Sequence, residues 1–299
     1  MKTAVKQKSL KKSTERIDKM SGILYLCATP IGNLGDISAR FIKTFEEVDL
    51  IAAEDTRQTL KILNHLGLTK PLTSYHEHNK REKREMIISQ LKDGKYVALV
   101  SDAGTPAISD PGEDLVKLCI ENNIDVTSIP GPVAGINALI LSGLPTKRFA
   151  FEGFLSVNKR HRKEHLASVK ADTHTLIFYE APHKLKTTLA DMYEVLGDRK
   201  IAIARELTKL HEEVIRTTLS EAVHLYDEKS PRGEYVLIIE GAKEEEITEE
   251  SLWWEELSIV EHVDFYINEK GLTSKDAVKQ TAEDRNLKKR DVYNEYHCN

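Results

Sequence analysis

The chain has 299 residues, 40% of them hydrophobic, with 43 Lys and Arg against 48 Asp and Glu, a formal net charge of -5; it is long enough for two domains with filled cores. No apolar run approaches the roughly 20 residues of a membrane span, and the first 20 residues contain no hydrophobic segment that would make a signal peptide, so a cytoplasmic protein is expected. Cys27, Cys119 and Cys298 are few and far apart, which gives neither a disulfide framework nor zinc spacing, and no metal is expected.

Residues 1–21 read as a flexible tail carrying Lys2, Lys6, Lys8, Lys11, Lys12, Arg16 and Lys19. An N-terminal α/β domain follows over 22–145. Its strands are ILYLCAT (Ile23 to Thr29), VDLIAAE (Val48 to Glu54), YVALVS (Tyr96 to Ser101) and DVTSIP (Asp125 to Pro130), apolar enough to be buried on both faces. Between them lie amphipathic helical stretches at Ser38 to Glu47, Thr56 to Leu66, Lys80 to Leu91 and Asp110 to Asn122, with a helix of small residues at Ala134 to Ser142. Strand then helix, repeated, implies a mainly parallel sheet.

From 146 to 242 the strands become more β-branched and closer together: HTLIFYE (His174 to Glu180), KIAIARE (Lys200 to Glu206), EEVIRTTL (Glu212 to Leu219) and GEYVLIIEG (Gly233 to Gly241). With helices at Lys159 to Val169 and Pro182 to Leu196, they predict a second α/β domain on a mixed sheet. Residues 243–252 read as an acidic linker. Beyond it, 253–299 reads as a helical, helix-turn-helix-like module: Trp253 to Lys270, Ser274 to Arg285 with Ser274 as N-cap, and Lys289 to Tyr296, cored by Ala277, Val278, Ala282, Leu287, Val292 and Tyr296.

Gly- and Pro-rich clusters follow several apolar runs: TPIGNLGD (Thr29 to Asp36), SDAGTP (Ser101 to Pro106) and IPGPVAG (Ile129 to Gly135). Sharp turns at strand exits are where open α/β sheets hold small ligands, and glycine lets the backbone come close to them. TPIGNLGD is neither the dinucleotide pattern nor a P-loop. Val133-Ala134 opens a helix whose N-terminus prefers negative charge, which suits a ligand carboxylate. Taken singly, each cluster reads equally as a plain strand-to-helix turn.

The ordered set TPIGNLGD, AEDTR (Ala53 to Arg57), SYHEHN (Ser74 to Asn79), SDAGTP, SIPGP, EGFL, FYEAPHK (Phe178 to Lys184) and GEYVLII resembles the tetrapyrrole-methylase superfamily over about Gly22 to Gly241. AEDTR, SYHEHN and SDAGTP are not motifs of its porphyrin-acting members and are similar to those of its branch that modifies small-subunit ribosomal RNA. The resemblance implies two α/β domains clasping S-adenosylmethionine in a cleft between them, a homodimer, and 2′-O-methylation of a decoding-centre cytidine in 16S ribosomal RNA, with an assembled subunit as the expected partner. Matched by motif, the cofactor contacts are Pro30, Ile31 and Gly32; Asp102, Ala103, Gly104 and Thr105; Val133 and Ala134; and Glu180 and Thr208.

Methyl transfer from a sulfonium is an in-line displacement that needs collinear placement, and a ribose hydroxyl attacks only as its proton is lost. The candidates for that chemistry are Glu54, Asp55, Arg57 and His78, with His76 and Glu180 beside them. Asp55-Arg57 reads equally as an ion pair supporting a helix start, and the histidines as a solvated loop. For RNA phosphates the candidates are Lys159, Arg160, Arg162 and Lys163 in NKRHRKEH, and Lys288, Lys289 and Arg290 with Lys275, Lys279 and Arg285 in the helical module. A solvated helix and a domain prop are the plain readings of those two segments. Two other functions fit the fold: a porphyrinoid C-methyltransferase, opposed by the basic segment and the helical extension, and a non-catalytic RNA-binding assembly factor, opposed by the intact turn glycines.

Overall fold

The computed structural model describes residues 21–243, 254, 257–285 and 287–297. The expected acidic linker, and the expected tail except Ser21, lie outside these residues apart from Lys243. The first sheet comprises β1 (Ile23–Cys27), β2 (Leu50–Ala53), β3 (Leu72–Ser74), β4 (Val97–Val100) and β5 (Asp125–Ile129), all parallel, in the order β3-β2-β4-β1-β5. From β1 to β3 the chain steps one way across the sheet, and from β3 to β5 it steps back. Right-handed crossovers therefore put the intervening helices on opposite faces. On one face, α1 (Ala39–Glu47) and α2 (Thr56–Leu66) pack Phe41, Phe45, Ile62 and Leu63 on Ile51, Ala53 and Val100. On the other, α3 (Lys80–Lys92) and α4 (Gly112–Glu121) pack Ile87, Leu91, Leu115 and Cys119 on Leu24, Ala52 and Leu99. The reversal opens a crevice at the carboxyl ends of β1, β2 and β4, the position where such sheets bind ligands.

The helix starts are set locally. Ser38 accepts from the Phe41 N–H at 3.1 Å and Asp55 from the Arg57 N–H at 2.8 Å, satisfying first-turn donors, and Gly67 ends α2 in the left-handed region. β3 is an addition to the sequence reading; three residues are too few to show a period. β5 is a correction: as an edge strand it leaves Thr127 and Ser128 exposed rather than buried on both faces.

In the second sheet β6 (Phe149–Phe154), β7 (Thr175–Glu180), β8 (Lys200–Arg205), β9 (Glu213–Thr218) and β10 (Tyr235–Ile239) run in the order β6-β7-β10-β8-β9, with β6 parallel to β7 and the other pairs antiparallel. The mixed character was expected; β6 was not, and neither was α8 (Leu219–Glu228), which Thr218 caps. Alternate residues serve opposite faces. Leu176, Phe178, Ile203 and Leu237 meet α6 (Lys159–Ser168), α7 (Leu185–Leu196) and α8, while Ile177, Ala202, Val236 and Ile238 meet Ala138 and Leu139 of α5 (Ala134–Ser142). Although α5 precedes the expected boundary, it packs on this second sheet. Ile31, from the turn after β1, joins the same core and ties the two halves together.

The helical module contains α9 (Ile259–Asn268), α10 (Ser274–Asp284) and α11 (Lys289–His297) around Val263, Ala277, Val278, Ala282 and Val292. Three expectations are corrected here. Among the described residues the helix expected from Trp253 begins at Ile259, because Ser258 forms a reciprocal capping box with Glu261; Thr273, not Ser274, caps α10; and Leu287 is exposed. Among the described residues no helix is long and apolar enough to cross a membrane.

Candidate active site

The turns after β1, β2 and β4 and the start of α5 form one wall of a cleft of about 460 Å³ with Ile31, Glu54, Ser101 to Thr105, Ile108 to Asp110, Val133 and Ala134. The second sheet forms the other wall with Phe154, Tyr179 to Pro182, Ala204, Leu207 and Glu234 to Val236. Because β10 runs antiparallel to β7, its first residues lie beside the last residues of β7: Tyr235 pairs with Glu180. Two segments distant in sequence thereby reach one rim.

The turns are locked to each other. Thr29 and Gly104 exchange backbone hydrogen bonds of 2.9 and 3.1 Å, and the Thr105 hydroxyl donates to the Pro132 carbonyl at 3.2 Å. Gly104 has φ +83°, a conformation that favours glycine, and a Cβ there would stand 3.4 Å from Ile31 Cγ2. Across the cleft the Tyr179 hydroxyl accepts from the Gly135 N–H at 3.0 Å, pinning the start of α5 to β7. Val133 supplies no side-chain cap, so α5 opens onto the cleft with its positive end.

The structure separates the candidates. Asp102 Oδ1 accepts from the Asp55 N–H at 2.9 Å, and Glu54 Oε2 accepts from the Asp102 N–H at 3.4 Å, which places two carboxylates on the first wall. Burial, followed by the charge of Asp102, raises the pKa of Glu54 from its ordinary value. Asp55 turns the other way. Its carboxylate caps α2 and grips the exposed Arg57 guanidinium at 2.6 to 3.1 Å, and those hydrogen bonds hold its pKa down to about 2. Asp55 and Arg57 therefore form the ion pair of a helix start, outside the cleft lining, and a carboxylate held that low is a poor proton acceptor. His78 also lies outside the lining, with its ring 6.0 Å from that of His76.

Among the expected cofactor contacts, Ile31, Asp102, Ala103, Gly104, Thr105, Val133, Ala134 and Glu180 line the cleft; Pro30, Gly32 and Thr208 do not. A Cβ on Gly32 would stand 2.5 Å from Lys209 Cγ and 3.1 Å from Thr208 Oγ1, so this glycine makes room for the loop after β8 rather than for a ligand. The Glu180 carboxylate is also committed. It accepts from the Ala181 N–H at 2.8 Å, the Thr188 hydroxyl at 2.6 Å and Lys184 Nζ at 2.9 Å, leaving the backbone of Glu180 to face the cleft. Phe154, Tyr179, Leu207 and Tyr235 were not among the expected site residues; the signal for Phe154, Tyr179 and Tyr235 is that EGFL, FYEAPHK and GEYVLII end or begin strands, and Leu207 carries none.

The cations of α6 divide by helix face. Lys159 and Arg160 are exposed, and Lys163 pairs with Glu194. Arg162 is a correction: its side chain and that of Asp191 are each 6% exposed, with Nε donating to Asp191 Oδ2 at 2.7 Å and Nη2 lying 2.6 Å from the same oxygen. It also donates to the Ser156 and Val157 carbonyls at 3.0 and 3.2 Å. Enclosed in this way, Arg162 cannot reach a phosphate. In the helical module Arg285 is likewise turned inward, donating to His262 Nδ1 at 3.0 Å and the Trp254 carbonyl at 2.9 Å, while Lys288, Lys289 and Arg290 are exposed.

A parallel sheet and a mixed sheet that close one apolar, carboxylate-edged cleft define a two-domain α/β enzyme acting on a ligand gripped between its halves. The sequence pattern of the Tetrapyrrole (Corrin/Porphyrin) Methylases matches residues 23–223, and the chain belongs to that family. It is similar to proteins named ribosomal RNA small subunit methyltransferase I. The one from Halalkalibacterium halodurans is 53% identical over 283 residues, 95% of this chain and 96% of that protein. The one from Bacillus subtilis is 52% identical over 276 residues, 92% and 94% of the two chains. Among solved structures, a cobalt precorrin-4 methyltransferase covers 73% of this chain and 94% of its own, with a TM-score of 0.56 at 14% identity. Diphthine synthase covers 74% and 90%, with a TM-score of 0.57 at 13% identity. These two share the fold.

Proposed function

We propose that the chain is an S-adenosylmethionine-dependent methyltransferase acting on small-subunit ribosomal RNA, and that its acceptor is the ribose 2′-hydroxyl of a decoding-centre cytidine. The observation that carries this is the near full-length relation to proteins named for that RNA, joined to a cleft with exposed Lys159 and Arg160 on the helix that follows its Phe154 edge. The residues suit the cofactor. Gly104 gives backbone access, the positive end of α5 suits a carboxylate, and Ile31, Ala134, Leu207 and Val236 suit an adenosyl group.

When bound, the cofactor supplies an electrophilic methyl group on a sulfonium; the rest falls to the chain. Glu54 takes the hydroxyl proton. Desolvated beside Asp102, it is a stronger base than an exposed carboxylate, and the Asp55 N–H fixes Asp102 in place. The apolar wall keeps competing water out. Asp55 and Arg57 hold the turn, and the exposed cations of α6 and α11 hold phosphates, with screening by salt.

We also propose a homodimer, supported by the exposed Ile136, Ile140 (66%), Leu141, Phe149 and Phe151 on α5 and the edge strand β6. The function is tested by titrating S-adenosylmethionine into wild type and Gly104→Val and by offering labelled cofactor with small subunits or a porphyrinoid. Binding lost in the variant, and label on subunits alone, supports the reading; label on the porphyrinoid contradicts it.

A further inference from the structure

We propose that the Phe154 ring is the platform on which the base of the target nucleotide stacks. This rests on the reading of the cleft as a ribosomal RNA methylation site. Phe154 is the last residue of the edge strand β6, lines the cleft and is 57% exposed. A large aromatic ring left that open on a cleft wall has one face without a partner among the described residues.

Its other contacts are rigid. Tyr179 meets the ring nearly edge-on at 5.4 Å between centroids, and Tyr179 is itself held by its hydrogen bond to Gly135. The three residues that follow Phe154 are clamped through their carbonyls: Leu155 by Lys184 Nζ at 3.4 Å, and Ser156 and Val157 by the buried Arg162. A fixed loop presenting an open ring is a preorganised surface, so little ordering is left to be done on binding.

The ligand chemistry follows from the acceptor. A cleft between two sheets takes a ribose hydroxyl most readily from an unpaired nucleotide that is splayed out of its helix, and the base that leaves its stack regains that contact on an aromatic face. Five and six residues past Phe154, exposed Lys159 and Arg160 stand at the start of α6, where they can take the flanking phosphates. The ring faces the nucleobase, and the buried Arg162 serves as its positioning residue.

The test compares Phe154→Ala, Phe154→Leu and Phe154→Tyr with wild type in two assays: calorimetric binding of S-adenosylmethionine, and steady-state methyl transfer to small subunits lacking the modification. Loss of one stacked base predicts a roughly 10- to 100-fold drop in kcat/KM for subunits in Phe154→Ala. Cofactor affinity stays unchanged, Phe154→Tyr restores transfer and Phe154→Leu does not. Cofactor affinity that falls with transfer would assign the ring to the adenosyl group and overturn the proposal, as would full transfer by Phe154→Leu. A wild type that transfers nothing to subunits fails the functional reading itself and takes the platform with it; a wild type and a Phe154→Ala variant that transfer alike fail the platform alone.

Discussion

Replacing Arg162 by methionine tests whether the basic run of α6 is a single RNA surface or two faces of a helix. The variant keeps the length and apolar stem of the side chain and leaves Asp191, 6% exposed, without its guanidinium. Two short contacts to the carboxylate, at 2.7 and 2.6 Å, and two to loop carbonyls, at 3.0 and 3.2 Å, disappear together. Breaking one side of a buried pair destabilises by about 3 to 5 kcal/mol. Lys163 Nζ, 4.0 Å from the other carboxylate oxygen, offsets part of this, so the expected loss is nearer about 3 kcal/mol. In a unit of this size that lowers the melting temperature by roughly 6 to 12 °C. Calorimetric unfolding measures it, with Arg160→Ala as the exposed control, expected to melt with wild type. Adding Asp191→Leu to Arg162→Met removes the orphaned charge and restores most of the lost stability. A methionine variant that melts with wild type while losing RNA affinity would refute the argument and return Arg162 to the RNA surface.

Other outcomes follow from the same geometry. Glu54→Gln abolishes methyl transfer yet raises stability near neutral pH. A carboxyl group whose folded pKa is raised stabilises the fold only while protonated, and that contribution is lost as pH rises through the folded value; the variant's advantage therefore shrinks as pH falls below the ordinary glutamate range, as thermal melts across pH would record. In wild type, the acid limb of kcat is displaced upward from the ordinary glutamate value, and a limb at or below that value would exclude Glu54 as the base. Lys159→Ala with Arg160→Ala lowers the salt slope of RNA affinity by about one unit per cation and leaves cofactor affinity unchanged. Ile140→Asp shifts the sedimenting species toward the monomer, and an unchanged oligomer would place the interface elsewhere.

The strand-to-helix rhythm of the first half was legible because parallel strands covered on both faces are continuous apolar runs, and the turn glycines and prolines after them mark where a ligand sits. β6 was hidden because FAFEGF carries a bulge between Phe151 and Gly153, which breaks the alternation. The confusion at AEDTR has a similar cause. Successive residues leaving a strand point to opposite sides, so Glu54 turns to the cleft and Asp55 to the helix start, a distinction that the string of letters does not carry. For Arg162 a signal was present: Leu166 lies one helical turn on and is buried, so a residue four positions earlier shares the inward face. The run of charge around it masked that periodicity. The second cleft wall depends on antiparallel pairing of β7 with β10, a contact between residues more than fifty positions apart, and nothing local announces it.

Transfer of labelled methyl from S-adenosylmethionine to small ribosomal subunits lacking the modification, followed by nuclease mapping and nucleoside mass spectrometry, tests the central claim most directly. The account predicts one labelled nucleoside, a 2′-O-methylcytidine from the decoding centre, formed by wild type and absent with Glu54→Gln. Label on a base atom or on another nucleoside, or no label despite measurable cofactor binding, would contradict it.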